Sequence, residues 1–147
     1  MRISWVTLMA MTLLTGCPPR TVEDVVPAYA KAYDTVFEHL GDIALSDAQT
    51  RIGRLGDAGK PFQPKLAELR TRQGEVSDLM VKAVRQKQQA LADKQPAPIE
   101  QATLMLKDAD AKAQQLKADL ARFNETLTAA GAPIIPPAPP RDPNARD

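Results

Sequence analysis

The chain is poor in the residues that build most catalytic and metal sites. Its 147 residues include one cysteine and one histidine. A single cysteine excludes a disulfide framework unless two chains pair, and the usual nucleophile–base pairs have no second histidine or spare thiol to draw on. The composition leaves only a catalytic mechanism based on carboxylates. The residues therefore favour a protein that is not an enzyme and has no cofactor.

The lone histidine also makes a poor metal site. His39 is flanked by Glu38 and, one helical turn on, by Asp42. Zinc normally takes four strong donors, usually with more than one His or Cys among them. Nothing else in the sequence completes that set, so we expect a solvated histidine and no bound metal.

The sequence has neither a large excess of one charge nor many aromatic residues. The chain has 19 basic and 18 acidic residues, and aromatic residues make up 4% of it. Nucleic-acid binding proteins normally carry a basic face or stripe, often with aromatic residues that stack on bases. A nucleic-acid partner is therefore not expected.

No apolar run is long enough to cross a membrane. The longest one, residues 3–13, follows Arg2 and is broken by polar residues, and Pro18, Pro19 and Arg20 come soon after it. A spanning helix needs about 20 mostly apolar residues, whereas a charged residue before a short apolar run is the layout of a secretory signal peptide. We expect this leader to be exported and cut.

The end of the leader carries the most specific motif in the chain. Leu14, Thr15, Gly16 and Cys17 resemble the lipobox of bacterial lipoproteins. The resemblance implies cleavage between Gly16 and Cys17, a diacylglycerol on the Cys17 thiol and an acyl group on its new amine. Two or three such chains hold a protein firmly on a bilayer. Since Pro18 stands where an aspartate favours inner-membrane retention, the expected address is the outer membrane, facing the periplasm.

The rest of the chain divides by composition. Residues 1–16 are the leader and residues 17–21 form a short lipidated tether. Residues 22–131 carry helical patterns, and residues 132–147 hold six of the 13 prolines. This last segment predicts a disordered, extended tail. The alternative is a strap that docks Ile134 and Ile135 on the folded part.

Heptad spacing predicts a first helix that is broken near residues 41–47. Its apolar seam consists of Val22, Val26, Tyr29, Tyr33, Val36, Leu40 and Ile43. Thr21 with the acidic residues after it predicts the start of this helix. Ser46 followed by Gln49 has the spacing of a capping box, which predicts a short second helix from Asp47 to about Leu55.

Two longer helices are predicted after the glycines near residue 56. The first of them runs from Phe62 or Pro64 to about Lys94, with Leu66, Leu69, Val76, Met80, Ala83 and Ala90 inward. The other buries Ile99, Ala102, Leu106, Ala109, Ala113, Leu116, Leu120, Phe123, Leu127 and Ala130, and Gly131 and Pro133 end it. The fold class is all-α: an antiparallel three-helix bundle or a helical-hairpin coiled coil.

A second, local resemblance lies in the short helix. Leu45, Ser46, Asp47, Ala48 and Gln49 are similar to the Leu-Thr-x-x-Gln motif of helical periplasmic chaperones related to Spy. Those proteins usually carry the motif twice, and this chain has one copy. The capping box accounts for the same residues without a family relation.

These observations predict a lipid-anchored, non-catalytic scaffold or adaptor that contacts a protein partner in the envelope. The alternative is a chaperone or a pilotin-like lipoprotein with an exposed client groove around Tyr29, Tyr33 and Phe37. An enzyme, the third class, requires a pocket with convergent carboxylates of shifted pKa. The sequence does not decide whether the protein self-associates, since the apolar seam of a helix can pack against a helix of the same chain or of a second chain.

Overall fold

The computed structural model describes residues 20–134, and this part of the chain is helical without a strand. Its elements in chain order are α1 (Val22–Gly41), α2 (Leu45–Arg54), a 3-10 helix (Gly56–Phe62), α3 (Gln63–Ala92) and α4 (Pro96–Ala129). The all-α prediction is confirmed, as is the break between the first two helices. The leader, Cys17 and residues 135–147 lie outside the described residues.

The helices form an up-down-up bundle. α3 and α4 make an antiparallel hairpin, in which Arg72 lies 2.6 Å from Asp119 and Gln86 bonds to Gln101 at 2.8 Å. α1 packs mainly on α4 and runs parallel to it, so that α1 is antiparallel to α3. Because α1 is shorter than α4, α2 packs on the remaining, C-terminal part of α4. The 3-10 helix packs on α2 and α3, and its Phe62 ring meets Phe123 of α4 edge-on.

The ends of the long helices follow local chemistry. Asp24 accepts hydrogen bonds from the Thr21 backbone N–H at 2.8 Å and from the Thr21 hydroxyl at 2.9 Å, and these bonds lower the pKa of Asp24. Pro96 opens α4, where its missing N–H costs nothing. Gly131 has φ +93°, a left-handed conformation that glycine adopts readily, just after α4 ends. The predicted start of α1 and end of α4 are confirmed.

The predicted start of the short helix was wrong. α2 begins at Leu45, its N-cap is Ala44, and no side chain caps it. Leu45 and Ala48 are buried against the rest of the bundle. Packing of this first turn therefore sets the helix start, and Ser46 lies inside the helix instead of capping it.

The core follows the heptad pattern closely in the hairpin and less closely in α1. All six inward residues predicted for α3 are buried, and all those predicted for α4 are buried except Ala130, which follows the end of that helix. In α1, Val25 is buried while Val22, Val26, Tyr33 and Leu40 are only partly covered. Because α1 packs mainly against α4, the buried face of α1 includes Val25.

Candidate protein-docking surface

The bundle has three long seams, and ion pairs cross two of them, although cavities of about 350 and 270 Å³ also open along the α1–α4 seam. The seam between α1 and α4 is joined at three heights by the pairs Arg20–Glu100, His39–Asp110 and Asp42–Lys117. The seam between α3 and α4 is joined by Arg72 and Asp119. The partner side chains lower the pKa of Asp42, mainly through its hydrogen bond from Lys117, and that of Asp119, mainly through its hydrogen bond from Arg72.

The seam between α1 and α3 is different. Among residues 20–134 no ion pair crosses it. Gln73 donates to the Ile43 carbonyl at 3.1 Å at one end, and the Lys87 ammonium lies 4.7 Å from the centre of the Tyr29 ring at the other. Between these contacts is an open cavity of about 280 Å³, which we call the α1–α3 groove. It is lined by Tyr33, Met80, Val81, Val84, Arg85 and Gln88.

Three aromatic residues of α1 form a row that begins in the core and reaches the α1–α3 groove. Tyr29, Tyr33 and Phe37 are spaced by four residues and therefore lie on one side of α1. Successive rings are stacked with centroids 6.3 Å apart. The exposed fraction rises along the row: Tyr29 is 3% exposed, Tyr33 is half-buried and Phe37 is 64% exposed. The structure thus brings the three predicted contact residues together, but only Tyr33 and Phe37 offer surface to a partner.

Tyr29 belongs to the core, with one unsatisfied polar atom. Its hydroxyl is buried and has no hydrogen-bond partner among the described residues. Burial raises the pKa of Tyr29, and the neighbouring Tyr33 adds to this rise. Lys87 occupies a core position of the α3 heptad, and its ammonium group over the Tyr29 ring makes a cation–π contact. This contact explains how a charged residue can occupy a core position of the α3 heptad pattern.

One charged side chain, Arg85, lines the α1–α3 groove. Asp34, next to Tyr33 on α1, is exposed, and Arg85 on α3 lines the cavity. Neither side chain forms an ion pair within residues 20–134. With Val81 also exposed, the groove combines apolar surface with one basic side chain. Such a surface suits a protein partner better than a small polar ligand.

The sequence reasoning missed Arg51, the most deeply buried charge in the described chain. It is 0% exposed. Its guanidinium donates to the Ala132 carbonyl, to both the side-chain and backbone oxygens of Asn124 and to the Thr128 hydroxyl, at 2.7 to 2.9 Å. Asp47 lies 3.7 Å away. Arg51 stands three residues after the buried Ala48, on the inner face of α2, but an arginine in such a pattern is normally assigned to the solvent.

His39 has a structural partner that its sequence neighbours did not indicate. Its Nδ1 atom lies 2.6 Å from Oδ1 of Asp110 on α4, and both side chains are about one-quarter exposed. Within residues 20–134, no group of three or more His, Cys, Asp or Glu side chains is close enough together to hold a metal ion. The predicted lipidation residue Cys17 and the cleavage residue Gly16 are outside the described part of the chain.

None of the helices in residues 20–134 is long and apolar enough to cross a membrane. Comparison with known proteins gave no relative: no protein-family model, no curated protein and no solved structure matches this chain.

Proposed function

We propose that this protein is a lipid-anchored helical scaffold or adaptor of the bacterial cell envelope, which acts through protein–protein contact at the α1–α3 groove and not by catalysis. The observation that carries the proposal is the open groove itself. It is the one long seam of the described bundle without an ion pair across it, and its lining residue Tyr33 stacks on the exposed ring of Phe37. Cys17 supplies the anchor in this proposal.

The position of the groove suits a partner beside the anchored bundle. α1 begins at Val22, close to the start of α4, as the 2.8 Å contact between Arg20 and Glu100 shows. A tether of a few residues from Cys17 holds this end of the bundle next to the bilayer. α4 has 34 residues and is therefore about 50 Å long. The groove then opens sideways, within reach of proteins on the same membrane.

A partner bound at the groove would bury exposed apolar side chains. Full burial of a large apolar side chain contributes about 1.5–3 kcal/mol relative to leaving it exposed. Phe37 and Val81 are both largely uncovered, and Tyr33 is half-buried. A helix laid against α1 and α3 would cover all three and add a fourth member to the bundle.

A second candidate function, a chaperone or pilotin-like lipoprotein, has one observation in its favour. The groove is already open in the isolated chain, as a client-binding surface requires. The Spy-like segment offers no separate client surface, because Leu45 and Ala48 are buried in α2. The two functions differ in their partners: an adaptor has one or a few of fixed identity, and a chaperone has many.

Photo-crosslinking in the envelope tests the proposal. We expect full-length chains with Phe37→p-benzoylphenylalanine to give one or two discrete crosslinked products. Leu104, also 64% exposed but on α4 near Arg20 and away from the groove, is the matched control and is expected to give none. A broad ladder of products from Phe37 supports the chaperone. No product from Phe37, or equal products from both positions, overturns the proposed groove function.

The anchor is tested separately with Cys17→Ser. We expect the variant chain to carry no lipid and to keep its leader uncleaved, since the thiol is the atom that the lipid requires. A variant that stays membrane-bound with unchanged processing contradicts the lipoprotein assignment.

A further inference from the structure

We infer that the seam between α1 and α4 holds a binding site for a single-chain anionic lipid, that is, for one acidic head group on one acyl chain. The site is separate from the α1–α3 groove, so the inference goes beyond the proposed docking function. It lies where the cavities of about 350 and 270 Å³ open along this seam. Both cavities are lined by Ala28, Thr103 and Lys107, so they adjoin, and together we call them the α1–α4 trough.

Two lysines face one cavity of the trough from opposite helices. Ion pairs join α1 and its flanking residues to Glu100 and Asp110 of α4, which line the two ends of the trough. Between these heights each helix contributes a lysine instead, Lys31 from α1 and Lys107 from α4. Two like charges across a seam repel each other, whereas an anion placed between them is attracted by both.

The acidic side chains of the trough do not neutralise these lysines. All three of its carboxylates are already bonded within the bundle: Asp24 to Thr21, Glu100 to Arg20, and Asp110 to both His39 and Gln114. The ammonium groups of Lys31 and Lys107, by contrast, have no ion pair or hydrogen bond among residues 20–134. In a chain with 19 basic and 18 acidic residues, the trough thus concentrates two uncompensated positive charges. They favour an anionic ligand.

The remaining lining of the trough is suited to an apolar chain. Its aliphatic residues are Val25, Ala28, Ala32, Leu104 and Leu106. The hydroxyls of Thr35 and Thr103 donate to carbonyl oxygens one turn earlier in their own helices, each at 2.8 Å. Leu104 is 64% exposed, and an acyl chain in the trough would cover it. A sugar or nucleotide would find few partners for its polar groups here, and a buried polar group without a partner costs binding energy.

The length of the trough and its position in the bundle agree with a lipid ligand. Ten residues of α4 separate Glu100 from Asp110, which corresponds to about 15 Å. The head group belongs in the cavity that both lysines line, and the acyl chain extends from there over Val25 and Leu104. Under the proposed anchor at Cys17, that end of the trough lies next to the bilayer, from which such a lipid would enter.

Photolabelling with probes of one chain length tests the inference. The probes are a diazirine-bearing palmitic acid, the lysophosphatidylglycerol with the same acyl chain, and the corresponding fatty alcohol. Each is added to the purified full chain in nanodiscs of zwitterionic phospholipid, and labelled peptides are identified by mass spectrometry. We expect the acid, the lysolipid or both to label the peptides around Ala28 and Leu104, and the uncharged alcohol to label them roughly tenfold less. The stronger of the two anionic probes identifies the head group as carboxylate or phosphate.

Charge reversal with a matched control locates the head group. A chain with K31E and K107E should lose roughly nine-tenths of the labelling, because two attractive charges become repulsive. A chain with K82E and K94E makes the same change in net charge at exposed lysines of α3 and the turn after it, and should label like the wild type.

Ala28→Leu tests the apolar part of the site independently. Ala28 is exposed and lines both cavities, so a larger side chain there should fit the helix, occupy the trough and lower the labelling. Circular dichroism checks that each variant keeps its helices, and Ala28→Leu decides if the K31E and K107E chain does not.

The inference is overturned if the alcohol labels as strongly as the acid and the lysolipid. It is equally overturned if neither the lysine reversal nor Ala28→Leu lowers the labelling below that of the K82E and K94E control. The proposed docking function fails on a different result, the absence of a crosslink from Phe37→p-benzoylphenylalanine, so the two failures are distinguishable.

Discussion

The Nε atom of Arg51 donates a hydrogen bond to the backbone carbonyl of Ala132 at 2.8 Å, and this contact joins α2 to the segment that follows α4. The two residues are 81 positions apart in the chain. Both are buried, and Ala132 is covered although it lies beyond the last helix. The end of the described chain is thus held by a side chain from the middle of the sequence.

Arg51→Met should destabilise the fold markedly. The substitution keeps a long apolar side chain but removes the guanidinium donors to Ala132, Asn124 and Thr128. Loss of these bonds, above all at the buried Ala132 carbonyl, should lower the free energy of unfolding by about 2–4 kcal/mol. Urea unfolding followed by circular dichroism measures the loss.

Arg54→Met is the control, since Arg54 is exposed and one turn or less further along the same helix. We expect a change within about 0.5 kcal/mol there. Equal effects at the two positions would contradict a structural role for the Arg51 hydrogen bonds.

Tyr29→Phe should leave the stability unchanged or raise it by up to about 1 kcal/mol, because it removes a buried hydroxyl that has no partner. The ring, its stacking on Tyr33 and the Lys87 contact all remain. The same unfolding measurement applies. A loss of more than about 1 kcal/mol would mean that the hydroxyl has a bonding partner after all.

Two glycine substitutions should act in opposite directions. A Cβ atom on Gly59 would overlap the backbone carbonyl oxygen of Ile52, so Gly59→Ala should cost about 1–3 kcal/mol. Gly74 lies in the interior of α3 with open space around its Cα, so Gly74→Ala should stabilise by about 0.5–1 kcal/mol. Thermal unfolding of both variants checks the signs. Two shifts of the same sign would contradict the packing described around the 3-10 helix.

Asp119→Asn should destabilise the protein most above pH 4. The hydrogen bond from Arg72 lowers the pKa of Asp119 below the ordinary value of 3.8. A carboxylate with a lowered folded pKa contributes stability above its unfolded pKa and loses that contribution as the pH falls through its folded pKa. The difference in unfolding midpoint between wild type and variant should therefore be largest near pH 7 and shrink as the pH falls through the lowered pKa of Asp119.

The control is Asp108→Asn, which breaks only an exposed pair with Lys112 on the same helix. Its unfolding midpoint should stay close to the wild-type value at pH 7. A wild-type-to-Asp119→Asn difference that grows on acidification would contradict the role given to the Arg72 contact.

Much of the fold was readable from residue spacing alone. In α3 and α4 the apolar residues recur every three or four positions, and such a repeat leaves only one face that can be buried. Leu66, Val76, Leu106 and Leu116 were therefore placed correctly. The turn between the hairpin helices and the glycine after α4 were equally local signals, because proline and glycine restrict or permit backbone angles whatever surrounds them.

The candidate site was readable only in part. Spacing by four residues put Tyr29, Tyr33 and Phe37 on one side of α1, but it could not give their depth. That depth depends on the rotation of α1 against α4. Contacts from α1 and its flanking residues to Glu100, Asp110 and Lys117 of α4 are made in this rotation. The result is one buried ring, one half-buried ring and one exposed ring.

By itself, then, the sequence determined the helices, their inward faces and the lipobox-like motif at Cys17, because each of these depends on residues that are near one another in the chain. Tertiary structure alone decided that Arg51 is buried, that His39 meets Asp110, and that a cavity lies between Tyr33 of α1 and Arg85 of α3. These features join residues far apart in sequence. Their energies depend on distances and burial in three dimensions, and the spacing of residues along the chain does not give these quantities.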